Sequence, residues 1–151
     1  MPEHGCLKAR DLFVSCMDLR TQCVRRRLID YLGIDDGTFD LVAVPGGAGD
    51  LRQLKRCLKV SRLLHDVPEV ILTVHEDCGA GASRKDLLRA VRIARSMGVA
   101  YRAFYLFRME DDWEWEEVFF SEEEILPLWV RLWRKLVVTV PASCDPVFDE
   151  E

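Results

Sequence analysis

The stretch EVILTVHEDCGAGAS, residues 69–83, decides the fold class of this chain. Its first seven residues form a nearly continuous apolar and β-branched run, which is typical of a strand buried on both faces of a parallel sheet. A loop of small residues follows, and Ser83 is a fitting N-cap for a helix that carries Leu87 and Val91 on one apolar stripe. The stretch therefore predicts one strand, one loop and one helix of a parallel α/β sheet.

The same alternation of strand and helix continues outward in both directions. Strand-like runs cover residues 11–16 and 39–45 before this stretch, and residues 99–107 and 113–120 after it. Helical patterns separate the first four runs, and the last run alternates as an edge strand does. The order predicts an α/β fold. We expect a mostly parallel central sheet, with four parallel strands and an antiparallel edge strand, flanked by helices on both faces.

We expect one domain over residues 1–151, with residues 1–9 as an arm and residues 141–151 as a tail that is mobile or lies at an interface. A helix should begin at the capping box of residues 121–124, and Pro127 should kink or delay it. The four tryptophans are interpreted as core and subunit-interface residues: Trp113, Trp115, Trp129 and Trp133.

Composition narrows the expected partners and compartment. The 151 residues carry 26 acids against 21 bases, a formal net charge of −5, so no basic field favours nucleic acid. No apolar run approaches the roughly 18–20 residues of a membrane span, and the first residues lack the apolar core of a signal peptide. We therefore expect a cytoplasmic protein without a membrane partner. Six cysteines without a C-x-x-C pair indicate thiols or metal ligands rather than disulfides.

Three metal-binding side chains fall at the predicted carboxyl ends of strands, where sites form in open parallel α/β sheets. His75 and Cys78 form an H-x-x-C spacing, and Cys16 ends the first strand. An imidazole and two thiolates are good zinc ligands, and a catalytic zinc uses three protein ligands with its fourth position open. The sequence thus predicts a zinc site on Cys16, His75 and Cys78.

Two further features lie at the same predicted edge. Asp18 and Arg20 alternate with Cys16, so an extended chain would turn all three side chains to one side. The glycine-rich loop after the second strand contains Gly46 and Gly47. These glycines can bring backbone amides close to a substrate, or they can simply make a tight turn between strand and helix. Both interpretations of the glycines stay open.

The three motifs C-x-D-x-R, PGGAG and H-x-x-C-G, in this order, resemble the β-class carbonic anhydrases over roughly residues 10–107. The resemblance implies Zn²⁺ on Cys16, His75 and Cys78. It also implies that Asp18 and Arg20 correspond to the paired aspartate and arginine of the family.

The resemblance implies an activity and an assembly. The activity is the reversible hydration of carbon dioxide to bicarbonate by a zinc-bound hydroxide, with Asp18 and Arg20 beside the open metal position. The enzyme would be a zinc lyase, a carbonate dehydratase, and its assembly a homodimer or a higher homo-oligomer. The chain departs from the family in that Leu19 replaces a small residue, PGGAG replaces an R-N-A-G loop, and a long N-terminal helical arm is missing. These departures indicate a short, divergent member.

Other functions stay open at this point. The same zinc site could hydrolyse carbonyl sulfide or carbon disulfide, and a catalytically silent relative could bind zinc or a small anion. Asp18 could be a fourth zinc ligand, which would either close the site of an enzyme or complete a structural zinc site. Glu76 and Asp77 are interpreted as solvated loop acids. Thiol-based redox chemistry is disfavoured, since no second cysteine is spaced to resolve Cys16 or Cys78.

Overall fold

The structure is a computed structural model that describes residues 8–138. Its sheet contains five strands: β1 (Asp11–Cys16), β2 (Phe39–Val44), β3 (Glu69–His75), β4 (Ala100–Met109) and β5 (Asp112–Glu117). They lie in the order β2-β1-β3-β4-β5. The first four strands are parallel, and β5 pairs antiparallel with β4 at the edge. The predicted fold class is confirmed.

The strand predicted to be buried on both faces, β3, lies in the middle of the sheet beside β1. Every residue of β1 is buried. Leu12 and Phe13 are successive residues that point to opposite faces of the sheet, and both are 0% exposed. Ile71 and Leu72 repeat this pattern in β3, whereas β2 at the edge alternates between half-buried and exposed residues. Both faces of the central strands are therefore covered.

Three helices provide that cover: α1 (Gln22–Tyr31), α2 (Leu51–His65) and α3 (Arg84–Ser96). On one face, α1 packs Val24 and Leu28 into a cluster with Phe13. On the other face, which carries Leu12, α2 lies against β1 and β2, and α3 lies against β3 and β4. Burying a leucine side chain of this kind contributes about 1.5–3 kcal/mol. The prediction of helices on both faces is confirmed.

The helices begin at the residues that the sequence marks as caps. The Asp50 carboxylate accepts a backbone N–H of α2 at 3.1 Å, and Ser83 forms a capping box with Asp86 at the start of α3. Single turns of 3₁₀ helix, Leu19–Thr21 and Gly47–Gly49, precede α1 and α2. These short turns hold the loops at the carboxyl ends of β1 and β2 close to the sheet.

The described chain forms two compact units, one ending at Phe120 and the other beginning at Ser121. In the second unit, α4 (Glu122–Ile125) starts at the predicted capping box, and α5 (Leu128–Val138) follows after a break at Pro127, as predicted. None of the helices described over residues 8–138 has the length and apolar character needed to cross a bilayer.

The tryptophans divide between two environments. Trp113 and Trp115 are half-buried and pack against the core cluster on the α1 face. Trp129 and Trp133 are 71% and 67% exposed, so the core interpretation is wrong for these two, and an interface role for them stays a prediction. The first seven residues of the predicted arm and all of the predicted tail lie outside the described residues. The single domain over the whole chain also stays a prediction.

Candidate metal centre

The carboxyl ends of β1 and β3 bring three metal-binding side chains together. Cys16 and His75 are the last residues of these neighbouring parallel strands, and Cys78 follows His75 after a short turn. One donor atom from each residue lies within 4.8 Å of the others, and the Sγ atoms of Cys16 and Cys78 are 3.9 Å apart. Within residues 8–138 this is the one such cluster of histidine, cysteine and acidic side chains. The predicted donor set is thus assembled at one edge of the sheet.

The histidine of this cluster has a nitrogen without a partner. His75 is 1% exposed, and its Nδ1 lies 2.7 Å from the backbone carbonyl oxygen of Glu76. Because a carbonyl can only accept a hydrogen bond, Nδ1 carries the hydrogen and Nε2 presents a lone pair. Nε2 is buried and has no hydrogen-bond partner among the described residues. Leaving such a group unsatisfied costs about 1–3 kcal/mol, and a metal ion at the cluster would remove that cost.

The surroundings of the Cys16 sulfur act on its pKa in opposite directions, and the net effect raises it. Burial raises the pKa of this thiol, while backbone N–H groups of Asp18 and Gly46 donate hydrogen bonds to the sulfur and act in the opposite direction. Two N–H donors aimed at one sulfur suit a thiolate, which is the form in which cysteine binds a metal. Together with the unpartnered nitrogen of His75, this donor set fits Zn²⁺.

Asp18 lies beside the donor cluster and is held by Arg20 in a two-point contact. Arg20 Nε is 3.1 Å from both carboxylate oxygens, and its Nη2 is 2.7 Å from Oδ2. The backbone N–H of Arg20 adds a fourth hydrogen bond, to Oδ1 at 2.9 Å. These bonds hold the pKa of Asp18 at about 2, so the side chain is a carboxylate at neutral pH. Its Oδ2 is 3.9 Å from Nε2 of His75.

The geometry therefore has Asp18 engaged by a guanidinium rather than drawn into the donor cluster. The roles of Asp18 and Arg20 in a reaction stay predictions. Arg20 also makes a contact that sequence reasoning missed, because its Nη2 donates to the backbone carbonyl of Asp77 at 3.0 Å. This bond ties the loop after β1 to the turn that carries Cys78. No local sequence signal joins residues so far apart along the chain.

The structure adds contacts for Glu76 and for the cysteine pair Cys16 and Cys78. Glu76 is a half-buried residue of the turn after β3, and its carboxylate accepts the backbone N–H of Arg108, a contact that the sequence does not indicate. Sequence spacing disfavours thiol-based redox chemistry, but the sulfurs of Cys16 and Cys78 lie 3.9 Å apart, as the predicted zinc site requires. Leu19 is 77% exposed next to Asp18, and nothing in the structure explains it.

The glycine-rich loop has structural reasons for its composition. Gly47 has a φ of +55°, and a Cβ there would lie 2.7 Å from the backbone nitrogen of Cys16 and 2.7 Å from the carbonyl oxygen of Thr73. Only glycine allows the loop to approach both strands so closely. The backbone N–H of Gly46 also lowers the pKa of the Cys16 thiol. These contacts favour the tight-turn interpretation, and substrate binding by Gly46 and Gly47 stays a prediction.

One aromatic neighbour of the cluster was also missed from the sequence. The ring of Trp113, at the start of β5, meets the ring of His75 edge to face, with 5.8 Å between centroids and 73° between planes. Trp113 was interpreted only as a core or interface residue, because alternation in an edge strand does not indicate which side chain it will meet.

Comparison with known proteins concerns the fold. No protein-family model matches the chain, and no curated protein matches it. Among solved structures, it is similar to the carbonic anhydrase from Streptococcus mutans, with 15% identity, a TM-score of 0.56, and coverage of 75% of this chain and 83% of that one. It is similar to the β-carbonic anhydrase CafA of Aspergillus fumigatus, with 12% identity, a TM-score of 0.50, and coverage of 85% and 83%. The chain therefore has the α/β fold of the β-carbonic anhydrases.

Proposed function

We propose that this chain is a zinc-dependent lyase that interconverts carbon dioxide and bicarbonate. The observation that carries the proposal is the buried, unpartnered Nε2 of His75, which lies with the sulfurs of Cys16 and Cys78 at the carboxyl edge of the sheet. The carboxylate of Asp18 lies beside this cluster and is paired with the guanidinium of Arg20. The fold of the β-carbonic anhydrases supports the same reaction.

Cys16, His75 and Cys78 would hold the Zn²⁺. When bound, the ion supplies Lewis acidity that brings the pKa of a coordinated water toward neutrality and makes hydroxide available as a nucleophile. The hydrogen bond from Nδ1 of His75 to the Glu76 carbonyl keeps the imidazole in the tautomer that offers Nε2. Burial of His75 and Cys16 keeps solvent away from two of the three donor groups.

Asp18 and Arg20 would act on the nucleophile. A carboxylate can only accept hydrogen bonds, so Asp18 would accept a hydrogen bond from the attacking hydroxyl and orient an oxygen lone pair toward the substrate carbon. Arg20 holds this carboxylate ionised and in one orientation through its two-point contact. The balanced reaction is carbon dioxide plus water giving bicarbonate and a proton.

Zinc analysis and a stopped-flow hydration assay on the purified chain test the proposal. We expect about one zinc per chain and hydration well above the buffer rate. Asp18→Ala should keep its zinc and lose about 100-fold or more of kcat/KM, because it removes the acceptor of the nucleophile's hydrogen. Asp36→Ala is the matched control, since it removes an exposed acid remote from the site and should leave kcat/KM unchanged.

Each other outcome has a definite meaning. A chain without zinc affinity would refute the metal site. A zinc-loaded chain that does not hydrate carbon dioxide would be a silent relative, and sulfide release from carbonyl sulfide without hydration would make the sulfur analogue the substrate. Full activity in Asp18→Ala would show that Asp18 does not act as described.

The proposal includes the assembly and compartment implied by the family resemblance. We propose a homodimer or a larger homo-oligomer in the cytoplasm. Light scattering coupled to size-exclusion chromatography gives the mass of the assembly in solution. A mass equal to that of the 17.4 kDa chain would reject the proposed homo-oligomer.

A further inference from the structure

One side chain that contacts His75 from outside the donor cluster belongs to the edge strand β5. Trp113 approaches the imidazole edge to face at 5.8 Å, a geometry that aromatic pairs favour. It is half-buried and lies on the same face of the sheet as α1. Trp113 thus covers part of a ring whose remaining nitrogen has no partner.

An arginine of α1 fixes the position of Trp113. Arg27 Nη1 is 3.0 Å from Oδ2 of Asp112, Nη2 is 3.3 Å from Oδ1, and Nη2 also donates to the backbone carbonyl of Trp113. Asp112 Oδ1 in turn accepts the N–H of Trp113 at 2.7 Å. The first two residues of β5 are therefore bound to α1 through one guanidinium. These bonds add to the antiparallel pairing with β4, in which Asp112 and Trp113 are also paired with residues of that strand.

These contacts bear on the direction of the His75 lone pair. The hydrogen bond from Nδ1 to the Glu76 carbonyl holds the imidazole at one atom, and the Trp113 ring lies against the same imidazole at an interplanar angle of 73°. A metal–nitrogen bond requires the lone pair to point at the ion, so neighbours that fix a histidine ring strengthen metal binding.

We propose that Trp113 is a positioning residue for the zinc ligand His75, and that the Arg27–Asp112 ion pair holds Trp113 in place. The inference rests on the proposed function, because it takes His75 as a zinc ligand. It goes further by assigning a role in the metal site to the β5 edge strand and to α1, neither of which supplies a ligand.

A purely structural role for Trp113 has to be separated from this one. The chain offers a matched control in Trp115, which lies two residues further along β5 and packs against the same core cluster. The ring of Trp115 is 5.7 Å from that of Tyr31. Trp113→Leu and Trp115→Leu remove equal volumes from the same strand, but only the first removes the contact with His75. Trp115→Leu removes the ring over which the Arg27 guanidinium lies, at 5.8 Å from the centroid, and keeps both residues to which Arg27 is hydrogen-bonded, Asp112 and Trp113.

The experiment measures zinc transfer from the loaded full-length chain to a chromogenic chelator, together with the melting temperature. We expect both variants to melt at lower and similar temperatures. Trp113→Leu should release zinc about tenfold faster than wild type, and Trp115→Leu should stay within about twofold. Trp113→Phe keeps an aromatic edge and should restore slow release. Absorption of the cobalt-substituted chain should shift in Trp113→Leu alone.

Equal zinc release from the two leucine variants would overturn the inference while leaving the proposed function intact. A wild-type chain that binds no zinc would overturn both. Arg27→Gln provides the same test if Trp113→Leu does not fold, because it removes the bonds to Asp112 and the Trp113 carbonyl without emptying the core. Release from Arg27→Gln at the wild-type rate would then count against the proposal.

Discussion

Asp77 has a φ of +50°, in the left-handed region that non-glycine residues seldom adopt. It lies between His75 and Cys78, and its carbonyl accepts a hydrogen bond from Arg20. The left-handed turn reverses the chain direction within a few residues, which lets Cys78 come back to the end of β1. An aspartate tolerates this conformation because its short polar side chain can bond locally. The loop that carries the predicted zinc ligand Cys78 therefore contains a conformationally strained residue, Asp77.

Asp77→Val should disturb this turn and the donor cluster together. A β-branched side chain is strongly disfavoured at positive φ, so we expect the free energy of unfolding to fall by about 1–3 kcal/mol. Zinc retention should also weaken, because Cys78 would no longer be held in place. Urea unfolding of the metal-free chain and zinc transfer to a chelator measure the two effects.

Asp66 provides the control for this substitution. It is also exposed, has a φ of +52° and ends α2 away from the donor cluster. Asp66→Val should lose a similar amount of stability and keep wild-type zinc retention. If both variants retain zinc equally well, the turn at Asp77 does not position Cys78.

At the scale of the elements, β1 and β3 also meet at the end opposite to the donor cluster. Asp11 and Glu69 are partners in the parallel register, and Asp11 is 1% exposed. Burial raises the pKa of Glu69 above its usual 4.5, and the neighbouring charge of Asp11 raises it further. Since the folded chain binds this proton more tightly than the unfolded chain, the contribution of Glu69 to stability is largest below pH 4.5 and is lost as the pH rises through its folded-state pKa.

Glu69→Gln should therefore stabilise the chain at pH 7.5, because it removes a carboxylate that the fold disfavours. The gain should be below about 1 kcal/mol, since Glu69 is largely accessible to screening by solvent. The gain should shrink at pH 4, where the wild-type side chain is mostly protonated in both states. Urea unfolding at the two pH values measures this. Glu123→Gln, a substitution at an exposed position of α4, should not raise the free energy of unfolding at either pH. A stability gain in Glu69→Gln that is the same at both pH values would contradict the electrostatic explanation.

The elements also explain how far the sequence could predict this molecule. β1 and β3 have the predicted bounds because continuous burial leaves a clear apolar run. β4 extends to Met109, beyond its predicted end, because it pairs with β5 in a hairpin. The clustering of Cys16 and His75 follows from the rule that parallel strands end at one edge. The contact of Trp113 with His75 could not be predicted, because it depends on which strand packs beside which and on the turn that joins them.

At the scale of the whole molecule, the hydrophobic core does not depend on the donor cluster. The side chains that fill both faces of the sheet, among them Phe13, Leu28, Leu54 and Leu72, are 0% exposed, and none of them belongs to the donor cluster. A zinc ion on Cys16, His75 and Cys78 would join the ends of two strands that already pair with each other. We infer that the ion adds stability to a fold that exists without it, unlike a structural zinc on which folding depends.

Removal of zinc should therefore lower the melting temperature without unfolding the chain at 25 °C. Zinc at a thousand times its dissociation constant stabilises the native state by about 4 kcal/mol, which corresponds to roughly 10 °C for a chain of this size. Far-ultraviolet circular dichroism of the chelated protein should keep its helix and strand signals. Cys78→Ser should have the melting temperature of the chelated wild type, and added zinc should raise it little. Ca²⁺ should leave the melting temperature of both proteins unchanged, because it prefers oxygen ligands. If chelation unfolds the wild type at 25 °C, the ion is a structural zinc; if zinc leaves the melting temperature unchanged, the donor cluster does not bind it.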